Sequence, residues 1–74
     1  MKKISVLTPT FNEEENIELL YKKIKEQFSS LSYDYEHIVI DNNSNDKTIE
    51  ILRYLCQKDK KLKVIINNKN YGQL

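Results

Sequence analysis

The sequence predicts an α/β unit built on a parallel sheet, and three observations carry that expectation. Short β-prone runs alternate with segments of helical periodicity, in the order strand, helix, strand, helix, strand. The middle strand, Ile38-Val39-Ile40, is continuously apolar and β-branched, as a parallel strand covered on both faces would be. A polar cluster follows each strand, at Pro9–Asn12, Asp41–Asp46 and Asn67–Gly72. In open parallel sheets, ligands bind outside the carboxyl ends of the strands. Three polar loops on one edge make a candidate site.

Each element has its own local reason. Ile4 to Thr8 is a β-prone run stopped by Pro9, which lacks the N–H a ladder needs. Asn12 then stands at N-cap spacing from Glu15, and three glutamates suit the positive end of a helix dipole. Ile17, Leu20, Tyr21, Ile24, Phe28 and Leu31 recur at helical spacing, with lysines on the other face. This predicts a helix from about Glu13 to about Ser29. Tyr35 to Asp41 reads as the second strand. Lys47 to Lys58 reads as the second helix, with Ile49, Leu52, Leu55 and Cys56 inward, and Leu62 to Ile66 as the third strand.

Composition narrows the function classes. With 74 residues the chain is one small domain, and a net charge of +1 gives no electrostatic reason to expect nucleic acid or an anionic membrane as partner. No apolar run reaches the length of a membrane span or a signal peptide. The single cysteine, Cys56, leaves no internal disulfide or cysteine-cluster zinc site, so a cytoplasmic location is expected. A dinucleotide fingerprint needs three glycines after the first strand, and the only glycine is Gly72. His37 lies mid-strand with no nearby nucleophile and reads as structural.

At Thr8-Pro9-Thr10-Phe11-Asn12-Glu13-Glu14 and at Val39-Ile40-Asp41-Asn42-Asn43-Ser44-Asn45-Asp46, the chain resembles the family-2 glycosyltransferases. A third element, Asn70-Tyr71-Gly72-Gln73, looks like the Asn-(Phe/Tyr)-Gly turn after their third strand. That element is most typical of members resembling dolichol-phosphate-mannose synthases and undecaprenyl-phosphate sugar transferases. The resemblance runs from Lys3 to Gln73. It implies the βαβαβ half of a GT-A, Rossmann-like fold and a nucleoside diphosphate sugar as donor.

Carried over residue by residue, the resemblance implies that Pro9, Thr10 and Phe11 border the nucleobase and that Asp41 accepts a hydrogen bond from a ring N–H. A carboxylate is acceptor-only and suits such a donor, and an aromatic ring offers the base a flat apolar surface. Replacing Asp41 by alanine is then expected to weaken binding and leave the fold largely intact. Plainer readings stand beside these. Phe11 is also placed to staple the first helix, Asp46 to cap the second, and Asp41 to form an Asx turn.

The family's Asp-x-Asp, which holds Mg or Mn against the donor diphosphate, is expected beyond residue 74, and none occurs within the sequence. No catalytic or metal-ligating residue is therefore assigned. Residues 1–74 are expected to be the amino-terminal, nucleoside-binding part of a transferase domain, inactive alone, whose intact form moves a sugar to a polyprenyl phosphate or glycan. An open edge on the first strand is expected to pair with an oligomeric partner or a complementing chain. The alternatives are a non-catalytic nucleotide-binding or protein-interaction module on the same half-fold, and a receiver-like unit with Asp41 as phosphoacceptor.

Overall fold

The computed structural model describes residues 3–31, 33–68 and 72–74. The elements are β1 (Lys3–Thr10), α1 (Ile17–Ser29), β2 (Asp34–Asp41), α2 (Thr48–Lys58) and β3 (Leu62–Ile66), in the alternating order expected. The strands form one parallel sheet in the order β1-β2-β3, with Leu7 opposite Ile38, Thr10 opposite Asp41 and Asp41 opposite Ile66.

Strand β1 runs through Pro9 rather than stopping at it. The Thr10 carbonyl accepts the Asn42 N–H, so Thr10 turns its backbone toward β2. By the alternation of a parallel strand, Pro9 turns its own away, and its missing N–H falls on the open edge, where a ladder loses nothing.

The core lies on one face. Ile17 and Tyr21 of α1 and Leu52 and Leu55 of α2 pack with Val39, Leu62, Val64 and Ile66. Every second strand residue points there, and the intervening ones face the other way. The expectation that Ile38-Val39-Ile40 would be covered on both faces is corrected: Val39 is buried, while Ile38 and Ile40 are only partly so. Among the described residues both helices pack on the Val39 face, and the opposite face carries Leu7 and Ile65 exposed. Its other end is polar, with Glu36 bridging Lys3 and Lys63 at 3.8 and 3.5 Å.

Helix α1 begins at Ile17, not at Glu13. Asn12 has φ 51°, a left-handed conformation in which it does not serve as an N-cap. The Glu13 carbonyl instead accepts the Asn16 and Ile17 N–H groups in a turn before the helix, so Glu13, Glu14 and Glu15 are not its first turn. The inner stripe is also narrower than its periodicity suggested. Ile24 and Phe28 are half-buried, Phe28 stacking on Tyr35 at 5.0 Å, whereas Leu20 and Leu31 are exposed. The cause is placement: α1 packs on α2 and β2, leaving part of its apolar arc without a neighbour.

Gly72 and Gln73, read from the sequence as part of a turn, lead into a short return along the sheet that the sequence did not indicate. The Ile66 N–H donates to the Gly72 carbonyl and the Leu74 N–H to the Val64 carbonyl, laying this segment antiparallel along the outer edge of β3. Leu74 packs against the core there.

His37 is 2% exposed; its Nε2 shares a 2.9 Å hydrogen bond with Thr8 Oγ1, and its Nδ1 has no partner. Burial lowers its pKa from 6.5, with the charge of Asp59 opposing that shift. Protonation would place an N–H on Nδ1 with no acceptor. The unfolded chain thus takes up a proton near 6.5 that the folded chain refuses, so stability is complete above that pH and falls as pH drops through it. The melting temperature is expected to decline as the pH is lowered through about 6.5. In His37→Leu that slope should be flatter; an unchanged slope would assign it to other groups.

Candidate functional site

Three strands in register deliver their carboxyl ends to one edge, and the loops that leave them are stitched together by side chains. Asp41, the last residue of β2, is the hub. Its Oδ1 accepts the Thr10 hydroxyl at 2.8 Å and the Ser44 hydroxyl at 2.6 Å, and its Oδ2 accepts the Ser44 N–H at 2.8 Å. A carboxylate has about four acceptor positions, so among the described residues one is left over, on Oδ2. The residue is 0% exposed.

The β1–α1 and β2–α2 loops are joined by four further bonds. The Asn12 N–H donates to Ser44 Oγ and the Asn45 N–H to Asn12 Oδ1, both at 2.8 Å. The Glu13 N–H donates to Thr48 Oγ1 at 2.8 Å and the Glu14 N–H to Asp46 Oδ2 at 3.2 Å. Asp46 Oδ1 also accepts the Thr48 N–H at 2.9 Å, so Asp46 both supports the start of α2 and grips the first loop. On the other side, Asn67 Nδ2 donates to Asn42 Oδ1 at 3.3 Å and Asn68 Nδ2 to Asn43 Oδ1 at 2.6 Å. Asn43, like Asn12, sits at positive φ, 60°, a conformation asparagine tolerates better than most residues.

The sequence-derived residues are distributed as follows. Thr10 and Asp41 touch directly and are both buried. Pro9 lies opposite Ile40 on the uncovered face and is exposed. Phe11 is 53% exposed, which argues against a staple, since a staple would bury the ring against α1. Asn70 and Tyr71 lie outside the described residues. Asp41 is an interior residue, and its bonds reach Ser44, three residues on, rather than the N–H two residues on that an Asx turn would use.

Asn42, the next residue, is exposed at the same strand end, with an amide that both donates and accepts. A depression of about 530 Å³ opens beside it, floored by Ile40, Ile65 and Ile66 and rimmed by Asn67 and Asn68. Sequence reading overlooked Ser44 and Thr48 as cross-loop partners. Their type was visible as hydroxyl residues near a helix start, but their acceptor roles toward Asn12 and Glu13 depend on strand register. Among the described residues, no three His, Cys, Asp or Glu side chains converge as metal ligands. Nor is any helix among them long and apolar enough to cross a membrane.

The arrangement is that of an α/β protein whose candidate site occupies the carboxyl edge of a parallel sheet. Residues 5–74 match the family described as glycosyl transferase family 2, and the chain belongs to that family. It is 39% identical over 74 residues to an undecaprenyl-phosphate 4-deoxy-4-formamido-L-arabinose transferase of Photorhabdus laumondii, covering 99% of this chain and 23% of that protein. The enzyme of the same name from Aeromonas hydrophila is 35% identical over 74 residues, with 99% and 23% covered. An uncharacterized glycosyltransferase of Synechocystis sp. is 31% identical over 70 residues, with 95% and 22% covered. The chain therefore spans less than a quarter of the length of these relatives.

Proposed function

We propose that this chain is the nucleoside-binding part of a nucleotide-sugar glycosyltransferase, whose intact form transfers a sugar to a polyprenyl phosphate or a glycan. One observation carries the reading: in a member of this family, the loops after all three strands meet at one edge, around Asp41. The names of the relatives support the acceptor class.

In this reading Phe11 offers its exposed ring to the base, with Pro9 and the backbone of Thr10 alongside. Two groups compete to read the base edge. The free acceptor position of Asp41 suits a ring N–H, and reaching it requires the loops around it to part. Asn42 is exposed and needs no such movement, and this favours Asn42 for the direct contact, with Asp41 holding the loops in shape. A Mg or Mn ion, where the intact enzyme uses one, would neutralise charge on the departing diphosphate. Its ligands would come from outside the described residues.

The test is calorimetric titration of the chain with UDP and with GDP, each with and without manganese. Metal-independent binding of one nucleotide is expected, weakened by about 1–3 kcal/mol in Phe11→Ala, as for the loss of a base-stacking ring. Asn42→Ala should weaken binding at unchanged stability if Asn42 reads the base. A folded chain that binds neither nucleotide would refute the reading and bring the interaction module forward, its uncovered face of Leu7, Ile38, Ile40 and Ile65 being the surface to test.

A further inference from the structure

The corner that presents Phe11 is held from the opposite loop, and Ser44 is the residue that links the Asn12 N–H to the buried carboxylate of Asp41. Its hydroxyl accepts the Asn12 N–H at 2.8 Å and donates to Asp41 Oδ1 at 2.6 Å, while its own N–H donates to Asp41 Oδ2. Asn12 closes the circuit by accepting the Asn45 N–H on Oδ1. Asp41 and Ser44 are both buried, so the two bonds between them are shielded from competition by water and end on a charged acceptor, while the Asn12–Asn45 bond lies exposed. Asn12 sits at φ 51°, a conformation that costs a residue with a Cβ something to keep. Phe11 itself is 53% exposed and gains little from packing. The Phe11–Asn12 corner is therefore held by this circuit, with the Glu13 and Glu14 N–H bonds to Thr48 and Asp46 fixing the chain just beyond it.

We propose that Ser44 is a positioning residue: by relaying the Asn12 N–H to Asp41, its hydroxyl holds the Phe11–Asn12 corner in the shape that receives the nucleoside. The inference rests on the nucleoside-binding reading and adds a residue to it. A ring held in place before the ligand arrives avoids the ordering cost that a mobile one pays on binding. Ser44 touches no base in this scheme; it acts through Asn12 and Asp41.

UDP and GDP titrations of the 74-residue chain test this, with amide spectra recorded on the same samples. Ser44→Ala is expected to bind about tenfold more weakly than wild type at a temperature where both are folded, the loss of one charge-linked hydrogen bond. Its Asn12 and Asn45 amide signals should shift or broaden before any nucleotide is added. Ser44→Thr, which keeps the hydroxyl, should restore both affinity and signals. Asn12→Gly permits the left-handed backbone and keeps the N–H held by Ser44, but loses the side chain that accepts from Asn45 and gains backbone freedom, so it should weaken binding less than Ser44→Ala. If Ser44→Ala does not fold, hydrogen exchange of the Asn12 amide in the wild-type chain carries the test, and strong protection is expected from its bond to Ser44 Oγ.

Wild-type affinity in folded Ser44→Ala, or, where Ser44→Ala does not fold, a wild-type Asn12 amide that exchanges with solvent as fast as an unprotected one, would overturn the proposal and leave the nucleoside-binding reading standing. Equal weakening in the alanine and threonine variants would also overturn it, since the hydroxyl would then be irrelevant. A folded wild-type chain that binds neither nucleotide would remove the reading itself and the proposal with it.

Discussion

Alanine at Leu52 is expected to leave the chain largely unfolded at 37 °C. Leu52 is 0% exposed, in the middle of α2, and packs in the single cluster that joins both helices to β2 and β3. Truncating a buried leucine removes transfer free energy and leaves a cavity, together about 2–5 kcal/mol. A chain of this length has about 4–11 kcal/mol of stability by the usual per-residue range. With one sheet face uncovered, its apolar burial is low for its size, which places it toward the bottom of that range. Circular dichroism against temperature is the check, with Leu19→Ala on the exposed side of α1 as the comparison. Native-like melting of Leu52→Ala would mean that the core is not where it is described.

Alanine at Asp41 is expected to cost about 2–4 kcal/mol of stability and to abolish nucleotide binding together. This departs from the sequence expectation of an intact fold, and the reason is the set of partners. Three donated bonds end on that carboxylate, and its removal strands the Ser44 N–H and the Thr10 and Ser44 hydroxyls in a buried place. An unsatisfied buried donor costs about 1–3 kcal/mol. The two hydroxyls can rotate toward other acceptors, and losing a buried charge recovers some desolvation, so the three costs do not simply add.

Asp41→Asn separates shape from charge. An amide oxygen can still accept from the two hydroxyls, but its NH₂ group faces the Ser44 N–H, donor against donor. That variant should fall between wild type and alanine in urea unfolding. An Asp41→Ala protein as stable as wild type would show that the bonds around Asp41 contribute nothing net.

The strand and helix order was legible from local patterns, because apolar spacing reports which residues face a core whatever that core is. Leu62–Ile66 matches its sequence bounds, and α2 differs by one residue at its start. Asn12 shows where local reasoning fails. Its spacing to Glu15 satisfies a capping rule, but its side chain accepts a bond from Asn45 and its own N–H is taken by Ser44. A contact 32 to 33 residues away outcompeted the local one, and no window along the sequence contains both partners. Ile38 and Ile40 fail differently: β-branched apolar character says that a strand suits burial on both faces, not that a second layer is supplied.

The sequence by itself determined the alternation of elements, the polar character of the strand ends and the motifs that place the chain in its family. These depend on residue type and short spacing, which a single chain displays directly. Tertiary structure alone decided that Asp41 is an interior hub, that Phe11 is left free, and that Ser44 ties one loop to the next. Such facts follow from parallel register, which sets Thr10 beside Asp41 and so brings together loops that lie some thirty residues apart in the chain. Whether a carboxylate meets a ligand or a hydroxyl is settled by which backbone arrives next to it.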